Sequence, residues 1–299
     1  MAFDARGLRS RWLRAWQVDP SVAVLGPFGV VERARGLGIG AALLRAALFS
    51  LRERGYRRAL LTVADDPELI AYLQRNANAK VVERVERTAP GQRWRTTVLA
   101  SGNGSNFQAV LDRCAAGELP LDVGTLVVNR PGAFALGRAV EDGVRGDVVA
   151  WNRREESRAT YDERVLEAVA RSEPELVLLL GWLHVLPAAF VERFPELLNI
   201  HPAYLPLDPA CNTVTLPDGT VQAAFRGAHA VDEALAAGAR WIGASVHRVG
   251  LAVDRGEVLA RAPLPLEAGE EREALFARLH GLEHRVLPAA LLGWCWERP

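Results

Sequence analysis

The chain has 299 residues, of which 49% are apolar and 24% charged, enough for two domains each with its own core. Its 36 basic and 36 acidic residues cancel, which argues against nucleic acid as a partner, since that normally needs a basic face. Lys80 is the only lysine, so no Walker A motif exists and Schiff-base chemistry would rest on that one residue. Cys114, Cys211 and Cys295 are odd in number and widely spaced, which suits neither a secreted disulfide framework nor a Cys-x-x-Cys metal pair. The N-terminus MAFDARGLRS lacks the apolar run of a signal peptide, and no apolar stretch reaches the roughly eighteen residues of a membrane span. The expectation is a reducing, cytoplasmic compartment with no membrane partner and no metal.

In chain order, SVAVLGPFGVV (21–31) reads as a strand. A helix follows, with Ile39, Leu43, Leu44, Ala47 and Leu51 at helical spacing. RALLTV is a second strand, DDPELIAYLQRN a helix opened by Asp-Asp-Pro, and AKVVERVE a third strand. The polar segment 86–95, with Pro-Gly in its middle, reads as a boundary between domains 1–90 and 93–299. Beyond it, Val- and Leu-rich strands alternate with helices: TTVLASG, LDVGTLVVN, GDVVAW, PELVLLLG and LLNIHP are the strands. That alternation predicts an α/β fold, a mostly parallel sheet with helices on both faces. Residues 207–223 carry an alternating NTVTL run, a Pro-Asp-Gly turn and TVQA, a hairpin signal. A helix, two strands (GASVHRV and EVLARAPL) and a long helix over about 269–295 complete the chain.

Three segments carry chemistry. In VLASGNGSNFQAVLD (98–112) a strand ends in a small-residue loop and a helix begins near Asn106. Gly102 and Gly104 allow close approach, and free N–H groups at the helix start make a phosphate site. The same residues also suit a plain turn with Ser105 or Asn106 as N-cap. In LLNIHPAYLP (197–206), alternation puts Asn199 and His201 on one face of a strand end. An amide beside an imidazole can stabilise an oxyanion and move a proton, though His201 could equally cap the strand through a backbone bond. Asp254 lies in the turn-like VDRGEV. It could orient His201 or simply bond its own turn.

Taken in order, SGNGSN, NIHP and G-x-SVH-x-V…VD-x-G resemble the folate-dependent glycinamide ribonucleotide formyltransferases, and the resemblance runs over residues 97–294. It implies a Rossmann-like formyltransferase fold and transfer of a formyl group from 10-formyltetrahydrofolate to phosphoribosylglycinamide in purine (IMP) biosynthesis. It places the substrate phosphate on Gly104, Ser105 and Asn106, with Glu283 contacting the ribose. The catalytic trio would be Asn199, His201 and Asp254, the oxyanion held by Asn199 and a protonated His201. Arg158, Leu183, His184, Val185 and Leu186 would border the folate pocket, with Gly250 and the residues up to Asp254 on its far side. Two departures stand out. An extra stretch containing the hairpin separates NIHPAYLP from Phe225-Arg226-Gly227, and His184 stands where arginine is common in the family. The hairpin could serve as a lid, a dimer contact or a substrate filter.

RARGLGIGAALLRAAL, with Arg35, Gly36, Gly38 and Gly40, resembles the acetyl-CoA loop of GNAT-type N-acetyltransferases, and Tyr72 stands at that family's general-acid position. The resemblance covers about residues 22–85 and implies a truncated α/β acetyltransferase-like domain, since only about twenty residues precede that match. Such a half-sheet would leave an unpaired edge and favour a homo-oligomer. Methionyl-tRNA formyltransferase shares Asn-x-His-Pro but not SGNGSN, and formyltetrahydrofolate hydrolase carries a different small domain in front. A catalytically silent acetyl-CoA or folate-binding module is the reading from another class.

Overall fold

The computed structural model describes residues 93–216 and 218–296 and, before them, 22–25, 44, 48–49, 58–61, 71 and 73–75. The chain divides into two compact units, Met1–Thr88 and Ala89–Pro299. In the first, β1 (Val22–Leu25) and β2 (Arg58–Leu61) pair in parallel, Val22 beside Arg58 and Leu25 beside Leu61. Leu44 and Leu73 are buried helical residues. The strand expected in AKVVERVE lies outside the described residues, as do Arg35, Gly36, Gly38, Gly40 and Tyr72.

The second unit begins with β3 (Trp94–Ala100), α1 (Ser105–Ala115), β4 (Leu121–Val128), α2 (Ala135–Glu141), β5 (Arg145–Val148) and α3 (Arg158–Ala170). It continues with β6 (Leu176–Leu179), α4 (Ala188–Arg193), β7 (Leu197–His201), β8 (Thr213–Thr215) and β9 (Val221–Ala223). It closes with α5 (Ala230–Ala236), β10 (Trp241–Arg248), β11 (Val258–Pro265) and α6 (Arg272–Trp296). Seven strands form one sheet in the order β11-β10-β7-β6-β3-β4-β5. The pairs among β3 to β7 are parallel, and β10 runs antiparallel to both β7 and β11.

Alternation along each strand divides its side chains between two cores. Val98 and Ala100, Leu126 and Val128, Leu176 and Leu178 pack with Phe107, Leu287 and Trp294 of α1 and α6. Leu99, Val127, Val177 and Leu179 point the other way, onto Tyr161 and Val165 of α3 and Phe190 of α4. Both faces are covered, which is why the central strands read as continuous apolar runs. Leu197 belongs to the second core, so Asn199 and His201, two and four residues on, share its face. The hairpin expected within 207–223 forms as β8 and β9, with Val214 buried between exposed Thr213 and Thr215.

Candidate active site

On the face of β7 that carries Asn199 and His201, the antiparallel register sets His247 of β10 opposite Asn199 and Ser245 opposite His201. Ser245 Oγ donates to Ala203 O at 2.7 Å and accepts from Leu205 N–H at 3.0 Å, fixing the chain as it leaves His201-Pro202. Two loop segments close over this group. Asp254 Oδ2 stands 3.4 Å from His201 Nδ1, and its Oδ1 is 3.2 Å from His247 Nε2 and 3.5 Å from Asn199 Nδ2. Gly227 N–H donates to Asp254 Oδ2 at 2.7 Å, and His201 Nε2 lies 3.0 Å from Phe225 O. The amide, the imidazole and the carboxylate expected together are together. His201 also makes the backbone contact that was the plainer reading of it, so that bond and the carboxylate contact coexist. His247 joins them although the sequence singled out no role for it. Its place two residues after Ser245 on an alternating strand was legible, but its partner strand was not.

The ring partners constrain the protons. His201 Nε2–H faces a carbonyl, so in the neutral ring the Nδ1 lone pair faces the Asp254 carboxylate. Burial pushes this imidazole below its ordinary value; the nearby Asp254 charge and the Phe225 carbonyl pull it up, but less. Burial thus opposes the protonated imidazole expected above, while the Asp254 carboxylate and the Phe225 carbonyl favour it. A proton arriving at Nδ1 would be shared with the carboxylate, so the pair is poised as a base. Burial works against the charge of Asp254, but the bond from His247, the nearby His201 and the Gly227 N–H outweigh it and hold the carboxyl down at about 2. His247 Nδ1 lies 2.8 Å from Arg248 O, and its Nε2 is 3.2 Å from both Asn199 Nδ2 and Asp254 Oδ1. His201 is 4% exposed whereas Asn199 is half-buried, so the amide is the more accessible of the two.

The Asp254 loop has little freedom. Asp254 has φ +50°, the left-handed region that costs a side-chain-bearing residue energy. At Gly256 a Cβ would lie 1.6 Å from Arg248 O, so only glycine fits.

A second grouping surrounds the start of α1. The helix begins at Ser105, and its N-cap is Gly104 at φ +75°, with no side-chain cap. Neither Ser105 nor Asn106 is the cap, because the backbone already turns at Gly104. The first-turn N–H groups are thus left for a ligand. Ala135 Cβ lies 2.7 Å from where a Cβ on Gly104 would stand. Asn106 Nδ2 donates to the buried Glu283 of α6 at 2.9 Å, while Asn106 Oδ1 is buried without a partner. Burial pushes the Glu283 carboxyl up, and the Asn106 bond only partly offsets it.

The third grouping holds Arg158 and His184. Arg158 is paired with Asp162 at 2.8 Å, donates to Val185 O and lies over the Trp151 ring at 5.4 Å. His184 Nδ1 is 2.9 Å from Tyr161 Oη, and the ring meets Trp151, Tyr161 and Trp182 edge-on. Burial, then Arg158 and Arg153, keep the His184 imidazole below its ordinary value, so it is a neutral group where an arginine would bring charge. Leu183 and Val185 are exposed, as are Leu251 and Val253 in the loop between Gly250 and Asp254, while Leu186 is packed against the second core. Among the described residues no group of His, Cys, Asp and Glu is arranged to hold a metal ion, and no helix is long and apolar enough to cross a membrane.

Residues 94–291 match the sequence profile of the formyl transferase family, and residues 9–77 match that of the acetyltransferase (GNAT) family. The phosphoribosylglycinamide formyltransferase of Mycobacterium tuberculosis is 35% identical over 209 residues, 69% of this chain and 86% of the relative. The trifunctional purine biosynthetic protein adenosine-3 of Drosophila melanogaster is 30% identical over 292 residues, 92% of this chain. The chain spans only 20% of the length of that Drosophila relative. The crystal structure of glycinamide ribonucleotide transformylase 1 from Symbiobacterium toebii superposes with a TM-score of 0.59 at 31% identity, over 71% of this chain and 91% of that one. A mostly parallel sheet carrying Asn199 and His201 at one strand end and closed by the Asp254 loop, in a chain whose residues 94–291 match the family profile, leaves one conclusion: the chain belongs to the formyl transferase family.

Proposed function

We propose that this protein transfers the formyl group of 10-formyltetrahydrofolate to the amine of 5-phosphoribosylglycinamide, a step of purine synthesis. The observation that carries the reading is the single face holding Asn199, His201 and Asp254, with a carboxylate 3.4 Å from a buried imidazole. The relatives named above support the acceptor: one is named a phosphoribosylglycinamide formyltransferase and the other a purine biosynthetic protein. The uncapped start of α1 suits the acceptor's phosphate, and the partnerless Asn106 Oδ1 suits a ribose hydroxyl. The apolar side chains of Leu183, Val185, Leu251 and Val253, with Arg158 and the aromatic cluster around His184, suit a flat ring system with an anionic tail.

When bound, the folate donor supplies an activated formyl carbon. The amine nitrogen forms a bond to that carbon, the bond from the carbon to the donor nitrogen breaks, and the proton lost by the amine ends on the donor nitrogen. Asn199 Nδ2 donates to the formyl oxygen as charge builds there, worth about 3 kcal/mol for one such preorganised donor. The His201–Asp254 pair receives the amine proton and returns it. The resemblance over residues 9–77 supports acetyl-CoA as a ligand of the first unit. Its loop residues Arg35, Gly36, Gly38 and Gly40 are the ones to test by coenzyme A titration.

The test is tetrahydrofolate release from 10-formyltetrahydrofolate with and without phosphoribosylglycinamide. Release that requires the acceptor, and that drops roughly 100- to 1,000-fold in kcat for Asn199→Ala, is expected. Release without acceptor would replace this reading with that of a hydrolase.

A further inference from the structure

The inserted stretch between Leu205 and Phe225 has a base built around the catalytic loop. Arg226 donates from Nε to Asp254 O at 3.1 Å and from Nη2 to Cys211 O at 2.8 Å. Arg255 donates from Nη1 to Pro209 O at 2.9 Å and from Nη2 to the Asn212 side-chain oxygen at 2.5 Å. Ala224 N–H donates to Asn212 O at 2.9 Å, closing the hairpin onto the same platform. The hairpin is itself fastened down. Val214 and Leu216 are buried with Tyr204, Gln222 Nε2 donates to Trp241 O at 3.0 Å, and Trp241 Nε1 donates to Asp218 Oδ2 at 3.1 Å. Residues 209–212 thus present fixed oxygens to two guanidinium groups, one of which is the residue next to Asp254.

The three consecutive residues 225–227 each hold part of the reacting group. Phe225 O takes the His201 ring, Arg226 takes the Asp254 backbone, and Gly227 N–H takes the Asp254 carboxylate. Asp254 sits at φ +50°, a conformation that persists only when its surroundings over-determine it. Arginine suits this task, because its planar fork reaches two acceptors at once and so couples the insertion to the loop.

We infer that Arg226 and Arg255 are positioning residues that use the inserted hairpin as a fixed platform to hold Asp254 against His201. This rests on the catalytic reading of Asp254 and His201 given above.

The test uses the full chain and its formyl transfer activity. Asp254→Asn checks the underlying reading: if it leaves kcat intact, the catalytic assignment falls and takes this inference with it. Given that it lowers kcat, Arg226→Ala and Arg255→Ala are expected to lower kcat roughly 10- to 100-fold, the size of a misplaced catalytic group. KM for phosphoribosylglycinamide is expected to change less than about twofold, because neither arginine touches the α1 loop. The acid limb of the kcat profile should move to lower pH, since a carboxylate drawn away from His201 no longer raises its affinity for a proton. Arg226→Lys should recover only part of the loss, a point charge being unable to bridge two acceptors. Where Arg226→Ala does not fold, Asn212→Ala removes one exposed acceptor and should show the same pH shift. Variants that unfold at lower temperature but keep kcat and the pH limb of the parent would overturn the inference.

Discussion

At the scale of single residues, His247 shows how the site depends on a neighbour strand. Its Nε2 lies 3.2 Å from both Asn199 Nδ2 and Asp254 Oδ1, so it holds the amide and the carboxylate beside each other. His247→Ala should let that amide turn and lower kcat about tenfold, the worth of about 1.4 kcal/mol for a lost hydrogen bond, with KM for both substrates little changed. Steady-state kinetics checks this; an unchanged kcat would show that Asn199 is held by Asp254 alone. Asn199 and His201 could be read from the sequence because two residues on one strand share a face whatever surrounds them. Asp254 could be named but not placed, its plainer reading being a turn residue bonded to its own backbone. What decided otherwise was a loop closing over the sheet, and loop closure leaves no period in a sequence. The charge balance at His201 depends on the same closure. A carboxylate partner favours imidazolium, and burial at 4% exposure works against it.

At the scale of elements, the strand–loop–helix unit of residues 94–115 was legible almost throughout. Its helix start, expected near Asn106, falls at Ser105, but the cap was not legible, because a left-handed Gly104 stands in place of a Ser105 or Asn106 side-chain cap. Gly104→Ala tests the consequence. A methyl there would stand 2.7 Å from Ala135 Cβ on a backbone at φ +75°. The turn should shift, KM for phosphoribosylglycinamide should rise several-fold and the melting temperature should fall, by about 1 kcal/mol or more of stability. An unchanged KM in a folded variant would move the phosphate away from this loop. The hairpin was equally legible as an element, since NTVTL alternation and a Pro-Asp-Gly turn are local signals. Its clamp on Asp254 was not, because Arg226 and Arg255 act through acceptors up to 46 positions away.

At the scale of the molecule, buried titratable groups set how stability depends on pH. His201, His184 and His284 are each held below their ordinary value of 6.5, chiefly by burial. Between that value and their lowered folded values the unfolded chain binds more protons, so stability is full above 6.5 and declines as pH falls through the window. Asp254 contributes stability that is present above 3.8 and lost as pH falls toward about 2. Glu283, raised by burial, acts oppositely and loses its contribution as pH rises above its ordinary 4.5. Thermal unfolding should therefore begin at a lower temperature near pH 5.5 than near pH 7.5, and His201→Gln should narrow that difference. Calorimetry showing the same gap in the variant would count against a buried neutral His201.

By itself the sequence determined the alternating α/β order, the boundary near residue 90, the glycine-bearing strand-to-helix loop, the hairpin and the family they point to. These follow from periodicity and turn chemistry, which act over a few residues and leave their mark in order along the chain. Only the tertiary structure decided which face of β7 lies under the Asp254 loop, that His247 joins it, that His201 is buried against Asp254 and that the hairpin's base grips the loop. Those outcomes depend on pairing between segments tens of residues apart and on the water that their packing removes. Neither strand pairing nor desolvation is a property of any one stretch of chain.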